Sequence, residues 1–308
     1  MSIKYSLYIL LFSFIISLSY CNEQVTFDKL IENLKKDAKM KLIVVAGAEM
    51  VETLTASRQA KDMKICDSIL IGDEEKIRKN AKESGIDISD FKIVNILEPI
   101  EMSKYASKLV HDGEADMYVK GSIETSEVLK AVLDSDIGLT TDKTISLVGV
   151  FELNGKLIFF TDPSIIPYPN LHDKVLLIEN AVSFARSAGI EVPKVAVVTA
   201  VSFVNPRMIE TIDAEELTIM NRNGKIQNCI FNGPLSLDLA ISPESARIKQ
   251  STRSINGDAD IFLFPDIHAA NISYKIMTQL GNGKSGSIVI GTSKPVILSS
   301  RSDSSQTK

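Results

Sequence analysis

Lys41-Leu-Ile-Val-Val-Ala46, closed by Gly47, is a short apolar run of the kind expected for a strand buried on both faces. Working outward from it, residues 51–61 carry helical spacing, and 27–38 upstream place Leu30, Ile31 and Leu34 on one helical face. The alternation continues through strand 68–72, helix 74–84, strand 91–96, helix 102–112, strand 117–120 and helix 124–133. This order implies parallel strands joined by right-handed crossovers, with helices on both faces of the sheet.

The rhythm changes at 144–151 and 156–161. These two strand-like runs flank Glu152-Leu-Asn-Gly155, and Asn154-Gly155 is a strong hairpin signal. A second α/β set follows: helix 173–188, strand 195–200, helix 214–222, strand 226–231, helix 243–252, strand 261–265 and helix 269–280. Strands 287–291 and 294–299 end the pattern. The hairpin marks a domain border and the late strands return to the first sheet. The expected division is therefore 25–147 with 288–308 as one α/β domain and 148–287 as the other. Residues 1–24 stand apart as a signal-like or spurious extension.

A chain of 308 residues accommodates two ordinary domains. Its 44% hydrophobic and 24% charged content is that of a globular protein. The net charge of -5, with no long Lys/Arg run, argues against a nucleic-acid binder but leaves room for a local basic pocket. Cys21, Cys66 and Cys229 are too scattered for a disulfide framework or a zinc site, and His111, His172 and His268 share no metal-ligand spacing. Leu7-Tyr-Ile-Leu-Leu-Phe-Ser-Phe-Ile-Ile-Ser-Leu18 is short for a bilayer span and fits a secretory apolar region. Export or lipid anchoring follows if residues 1–21 are a true signal; a cytoplasmic location follows if they are not.

Chemistry is expected where strands end, because open α/β sheets bind ligands at the carboxyl ends of their strands. Lys120-Gly-Ser-Ile-Glu-Thr125 follows a strand and opens a helix, so its amides could hold an anion or simply cap the helix. Asn232-Gly-Pro-Leu-Ser-Leu-Asp238, Phe264-Pro-Asp266 and Ser202-Phe-Val-Asn-Pro206 end three others. Ser300-Arg301 closes the last. Its guanidinium offers a fork matched to phosphate oxygens and its hydroxyl can donate to an oxygen gaining negative charge.

Lys120-Gly121 with Thr125, Thr161-Asp162, Val204-Asn-Pro206, Gly233-Pro-Leu with Asp238, Ile241-Ser-Pro243, Gly257-Asp-Ala-Asp260, Pro265-Asp266 with Asn271 and Tyr274-Lys275, and Ser300-Arg301 occur in one order. In that order they resemble the phosphate acetyl/butyryltransferase family, from about Val25 to the end. Ala240-Ile-Ser-Pro-Glu244 and Ser300-Arg-Ser-Asp303 are most similar to its butyryltransferase branch. The resemblance implies a two-domain, three-layer α/β/α fold of the isocitrate/isopropylmalate dehydrogenase-like type, with an interdomain cleft and a homodimer or higher homo-oligomer. It implies reversible transfer of a short-chain acyl group between CoA and inorganic phosphate. CoA, acyl-CoA and phosphate are then substrates, with no bound cofactor and no metal. Ser300 and Arg301 would be catalytic. Lys120, Gly121, Thr125, Lys130, Asp162, Asn205, Gly233, Pro234, Asp238, Asp266 and Asn271 would bind substrate.

The chain departs from the family pattern at several positions. Lys130 stands where an Arg is usual, Leu147 where butyryltransferases have His, and Ile166 where an Asn follows the Thr-Asp pair. Ser202 replaces Glu, Leu239 replaces Asn, Ala270 replaces Gly, His268 replaces a polar or acidic residue, and Thr307 holds the place of an acetyltransferase Asp. The family's helix after Ser-Arg has no counterpart before Lys308. These changes raise a second reading, a weakened paralogue that binds CoA or acyl phosphate without efficient turnover.

Overall fold

The computed structural model describes residues 24–36, 40–281, 284–300 and 304. The first half runs α1 (Phe27–Lys36), β1 (Lys41–Ala46), α2 (Val51–Asp62), β2 (Cys66–Gly72), α3 (Glu74–Glu83), β3 (Lys92–Asn95), α4 (Pro99–His111), β4 (Met117–Lys120) and α5 (Thr125–Val132). The β5 (Ser146–Leu153) and β6 (Lys156–Thr161) pair follows, then α6 (Leu171–Ser187), β7 (Lys194–Val198), α7 (Ile209–Arg222) and β8 (Ile230–Leu235). The remainder is α8 (Leu237–Ile241), α9 (Pro243–Ile248), β9 (Ile261–Leu263), α10 (Ile267–Leu280), β10 (Ser285–Ile290) and β11 (Val296–Leu298).

All eleven described strands form one mixed sheet, in the order β3-β2-β1-β4-β11-β10-β5-β6-β9-β7-β8. β1, β2, β3, β4 and β11 are parallel, as are β6, β7, β8 and β9. The two parallel sets run in opposite directions because three antiparallel pairings, β11–β10, β10–β5 and β5–β6, lie between them. The hairpin expected at Asn154-Gly155 joins β5 to β6, with both residues at positive φ and Leu153 paired to Lys156. The return of the last strands is also present, since β11 pairs with β4.

Helices cover both faces. In the first half, Val44, Ile69, Tyr118 and Leu298 pack with Ala106, Val110 and Val128 of α4 and α5, while Val45, Leu70 and Val119 pack on the other face with Leu54 and Ile77 of α2 and α3. In the second half, Phe159, Val195 and Ile261 pack with Leu177 and Leu217 of α6 and α7; Phe160, Ala196 and Phe262 pack with Ala240, Ala246 and Tyr274. Local signals set the helix starts. Asp73, Ser242 and Asp266 accept amide hydrogens as N-caps, Asn170 and Asp173 form a reciprocal capping box, and Pro99 opens α4.

Three expected elements shift a boundary by four residues or more. The strand expected over 226–231 forms at Ile230–Leu235, because Asn228 takes φ 62° and Asn221 Nδ2 binds the Ile226 carbonyl in the turn before it. Asn232, Gly233 and Pro234 are thus inside a strand rather than in the loop that ends one. Proline is tolerated there because β8 is an edge strand. The helix expected over 214–222 begins earlier, at Ile209, and the one expected over 243–252 stops at Ile248. The peptide bonds Thr161–Asp162 and Gly233–Pro234 are cis. Among the described residues no helix is long and apolar enough to cross a membrane, and the 7–18 run lies outside them.

Candidate active site at the junction of the two parallel sets

β11 and β6 run in opposite directions yet end close to one level of the sheet. Ser287 of β10 donates its hydroxyl to the Leu298 carbonyl at 2.9 Å, and Ser287 pairs with Gly149, which pairs with Phe160 one residue before the end of β6. The carboxyl ends of both parallel sets therefore meet near the middle of the sheet. A cavity of about 200 Å³ occupies that junction. Leu298 lines it from the end of β11 and Ser299 and Ser300 from just after it, Thr125 from the start of α5, Pro163 and Ser164 from the loop after β6, and Asn271, Tyr274 and Lys275 from α10.

Each wall has a local cause. Lys120, at the end of β4, is buried to 3% exposure and donates from Nζ to the carbonyls of Ser299 (2.9 Å) and Gly121 (3.3 Å). The Ser299 hydroxyl returns a 2.8 Å bond to the Lys120 carbonyl, so this reciprocal pair holds the residue before Ser300. The same loop uses its first amides internally: Gly121 N donates to Ala46 O and Ser122 N to Gly47 O, at 2.8 and 2.7 Å. A Cβ on Gly121 would sit 1.9 Å from the Gly47 oxygen. Gly121 is required by this close backbone crossing, and the amides of Gly121 and Ser122 are committed to it.

Asp162 shapes the facing wall from behind. It is 3% exposed, and its carboxylate accepts amide hydrogens from Ser164 (2.8 Å), Ile165 (2.9 Å) and Leu147 (3.2 Å). Burial pushes its pKa above the ordinary carboxylate value although these donors pull it down. Asn271 donates from Nδ2 to the Pro163 carbonyl at 2.8 Å, tying α10 to that loop. The approach of α10 depends on Gly149. A Cβ there would lie 2.7 Å from the Tyr274 ring, so the missing side chain lets the ring pack flush on β5. Lys275 follows on the same helix, its ammonium 5.5 Å from that ring centre. Glycine within a strand pattern was the available signal for Gly149. Lys275 was visible in the Tyr274-Lys275 motif but not among the residues expected to bind substrate.

Of the thirteen expected residues, Ser300, Thr125 and Asn271 line the cavity, and Lys120, Gly121 and Asp162 support its walls. Arg301 and Asp303 lie outside the described residues. The other six are not in the lining. Lys130 is exposed in the last turn of α5. Asp266 N-caps α10 through a 2.9 Å bond from Ala269 N. Asn205 accepts the Arg207 amide at 3.0 Å in the turn before α7. Gly233 and Pro234 are buried in β8, where a Cβ on Gly233 would meet the Val197 Cβ at 2.7 Å. Asp238 pairs with Lys249 at 2.6 Å, and that bond holds its carboxyl below the usual range. The Gly257–Asp260 motif likewise serves ion pairs at strand starts, Lys194 to Asp258 and Lys156 to Asp260.

The departures from the family pattern have the same distribution. Leu147 lines the cavity and makes that wall apolar where an imidazole is usual. Leu239 and Ala270 are buried in the core around α8 and α10, Ile166 packs on the core around α6, and Ser202 accepts the Ser236 amide at 2.9 Å. His268 bonds to the Tyr168 hydroxyl at 3.0 Å on the surface. Thr307 lies outside the described residues. Burial raises the thiols of Cys66 and Cys229 to about 11, so neither is a ready nucleophile. Among the described residues no group of His, Cys, Asp and Glu has the arrangement of a metal site.

The chain is similar to known proteins over most of its length. The chain is 42% identical over 284 residues to a phosphate butyryltransferase of Clostridium beijerinckii, covering 92% of this chain and 94% of that protein. It is 38% identical over 285 residues to a phosphate acetyltransferase of Thermotoga maritima, covering 91% and 95%. Among solved structures, a branched-chain phosphotransacylase from Enterococcus faecalis superposes with a TM-score of 0.76 at 31% identity, over 87% of this chain and 95% of that one. The family described as phosphate acetyl/butaryl transferase matches residues 25–110 and 101–308, which takes in every wall of the cavity. The chain belongs to that family.

Proposed function

We propose that this protein is a phosphate acyltransferase, acting on a short-chain acyl-CoA and inorganic phosphate in the cavity between β11 and α10. A phosphate oxygen attacks the thioester carbonyl carbon, the C–S bond breaks, and the products are acyl phosphate and CoA thiolate. The reverse reaction runs through the same tetrahedral intermediate. In this reading Ser300 donates its hydroxyl to the carbonyl oxygen as negative charge develops there, and Arg301 beside it grips phosphate with a two-pronged guanidinium. Lys275 adds positive charge on the facing wall. Thr125 and Asn271 orient the substrates, with Lys120 and Asp162 as positioning residues. Such a reaction proceeds by positioning and charge stabilisation, with CoA and phosphate as substrates.

The observation that carries this reading is the convergence of Ser300, Thr125, and Asn271 with Lys275 on one cavity from three separate stretches of a chain whose family performs this chemistry. Among the described residues Leu147 is the only replaced family position that lines that cavity, which favours turnover over mere binding. The two cores on either side of the β10–β5 pair are read as two domains, 25–147 with 288–308 and 148–287, with the cavity in the cleft between them. A homodimer is part of the same reading. Exposed Phe203, Val204 and Leu237 follow Ser202 and Ser236, whose hydroxyls bond at 3.0 Å just past the end of the edge strand β8, and suit burial by a second copy. The location proposed is cytoplasmic, where acyl-CoA and acyl phosphate occur.

The test is direct. Full-length protein mixed with butyryl-CoA and phosphate should release free thiol, and the release should require phosphate. CoA binding by calorimetry with no thiol release would instead establish the weakened paralogue. Arg301→Ala should raise the KM for phosphate far more than it changes the melting temperature; equal loss of both would make Arg301 structural.

A further inference from the structure

The helix that carries Asn271, Tyr274 and Lys275 to the proposed site has a second, outward face. α10 buries Ala270 and Tyr274 against the sheet, beside Phe160 and Phe262. On the side turned away from them, Ile272, Ile276 and Leu280 recur every four residues and are 58%, 51% and 76% exposed. His268 stands one turn earlier, and its 3.0 Å bond to the Tyr168 hydroxyl holds another exposed ring at the foot of this row. From His268 to Leu280 the row spans about 18 Å of helix. Apolar residues scattered singly on a surface need no explanation, but a contiguous row of them marks a contact face.

The chemistry of the row selects its partner. Lys275 is the one charged residue of α10, and the row itself carries no charge. It therefore offers an unlike protein no ion to match, yet it is complementary to a copy of itself laid antiparallel across it. Ridges spaced i, i+4 interdigitate with ridges of the same spacing, the commonest helix packing, and a two-fold axis makes such a contact isologous. One helix is too small for a stable dimer, which buries about 800 Å² on each partner. The neighbouring helices extend the surface. α8 and α9 cover the same sheet face as α10 around Phe160 and Phe262, and they expose Leu237 and Ile248. Leu237 follows Ser236, whose bond to Ser202 brings Phe203 and Val204 to the end of the same layer.

We infer that α10 packs against α10 of a second copy, and that this contact completes the proposed site. Asn271 and Lys275 each precede a residue of the row, Ile272 and Ile276, and both line the cavity. The second copy's helix then stands at the mouth of the cavity as its outer wall and keeps water from the thioester. This rests on the homodimer reading above, and adds to it the surface used and the dependence of the site on the partner.

The experiment is size-exclusion chromatography with light scattering on the full chain, which should give a dimer at micromolar concentration. Ile272→Asp and Ile276→Asp should each raise the dimer dissociation constant at least about thirtyfold, as losing a residue at the centre of an interface does. Leu280→Lys, at the most exposed position of the row, should do the same and keeps the test open if an aspartate in mid-helix unfolds the chain. Thiol release per chain from butyryl-CoA and phosphate should fall at least about tenfold in the monomeric variants, and in wild type diluted below its dissociation constant. Row variants that stay dimeric while Phe203→Asp gives monomers overturn the α10 contact and leave the homodimer reading intact. A wild-type monomer at every concentration overturns both. Monomeric variants with wild-type turnover overturn the dependence of the site on the partner. If wild type releases no thiol, acyl transfer fails and CoA affinity by calorimetry replaces turnover: weaker binding by the monomer supports the wall, and equal binding overturns it.

Discussion

Two regions of this sheet carry the same kind of sequence, and only one of them builds a cavity with the last strand. At the junction of the two parallel sets, Lys120, Thr125, Asp162, Asn271 and Ser300 come from separate strand ends and helices and meet around 200 Å³ of space. At the free edge, Gly233, Pro234 and Asp238 follow an apolar run just as Gly121 and Thr125 do, yet they are spent on packing β8 against β7 and on an ion pair with Lys249. Strands β7 and β9 stand between β8 and β6. A small or acidic residue near a strand end is therefore ambiguous. Its position in the strand order decides whether it faces a neighbour from the other parallel set or only its own core.

The sharpest way to break this contrast is at its centre. Ser300→Ala should lower kcat by about 10²–10³-fold, the range for losing one donor to a developing oxyanion, with little change in melting temperature. A loss below fivefold would remove Ser300 from the chemistry. Gly233→Ala should destabilise the protein by about 1–3 kcal/mol in urea unfolding, because the new methyl must displace the Val197 Cβ. The folded fraction should keep its kcat; a selective loss of activity would return Gly233 to the site. Asp238→Asn should cost less than about 1 kcal/mol, since Asp238 and Lys249 are each nearly half exposed and such pairs are weak. Its kcat/KM should stay within about twofold.

The smallest effect concerns the carboxyl behind the cavity wall. Burial raises the folded-state pKa of Asp162 despite its three amide donors. A raised pKa means that its stabilising contribution is complete below the unfolded value of about 3.9 and fades as pH rises through the folded value. The urea midpoint of the wild-type protein, taken relative to Asp162→Asn, should thus be greatest in acid and decline toward neutral pH. A difference that grows with pH would show that the amide bonds outweigh burial.

Much of the architecture was legible from residue order. Apolar runs such as Leu42–Ala46 in β1 announce buried strands, Asn154-Gly155 announces the β5–β6 hairpin, and caps at Asp73 and Asn170 announce helices, because each signal acts within a few residues. The β8 boundary was misplaced by four residues at its start because Asn228, an asparagine at positive φ, ends the turn inside an otherwise apolar stretch. The cavity was half legible. Ser300, Thr125 and Asn271 stood in readable motifs, while Gly149 and Lys275 gain their roles only when α10 lies across β5.

Local chemistry along the chain settles which segments are strands, which are helices and which family they compose, since hydrogen bonding and side-chain periodicity are decided between near neighbours. Only the assembled sheet separates the two kinds of strand end. The antiparallel β10 and β5 reverse one parallel set against the other and bring the ends of β11 and β6 to one level. That meeting joins residues more than a hundred positions apart, and no spacing within the chain encodes it.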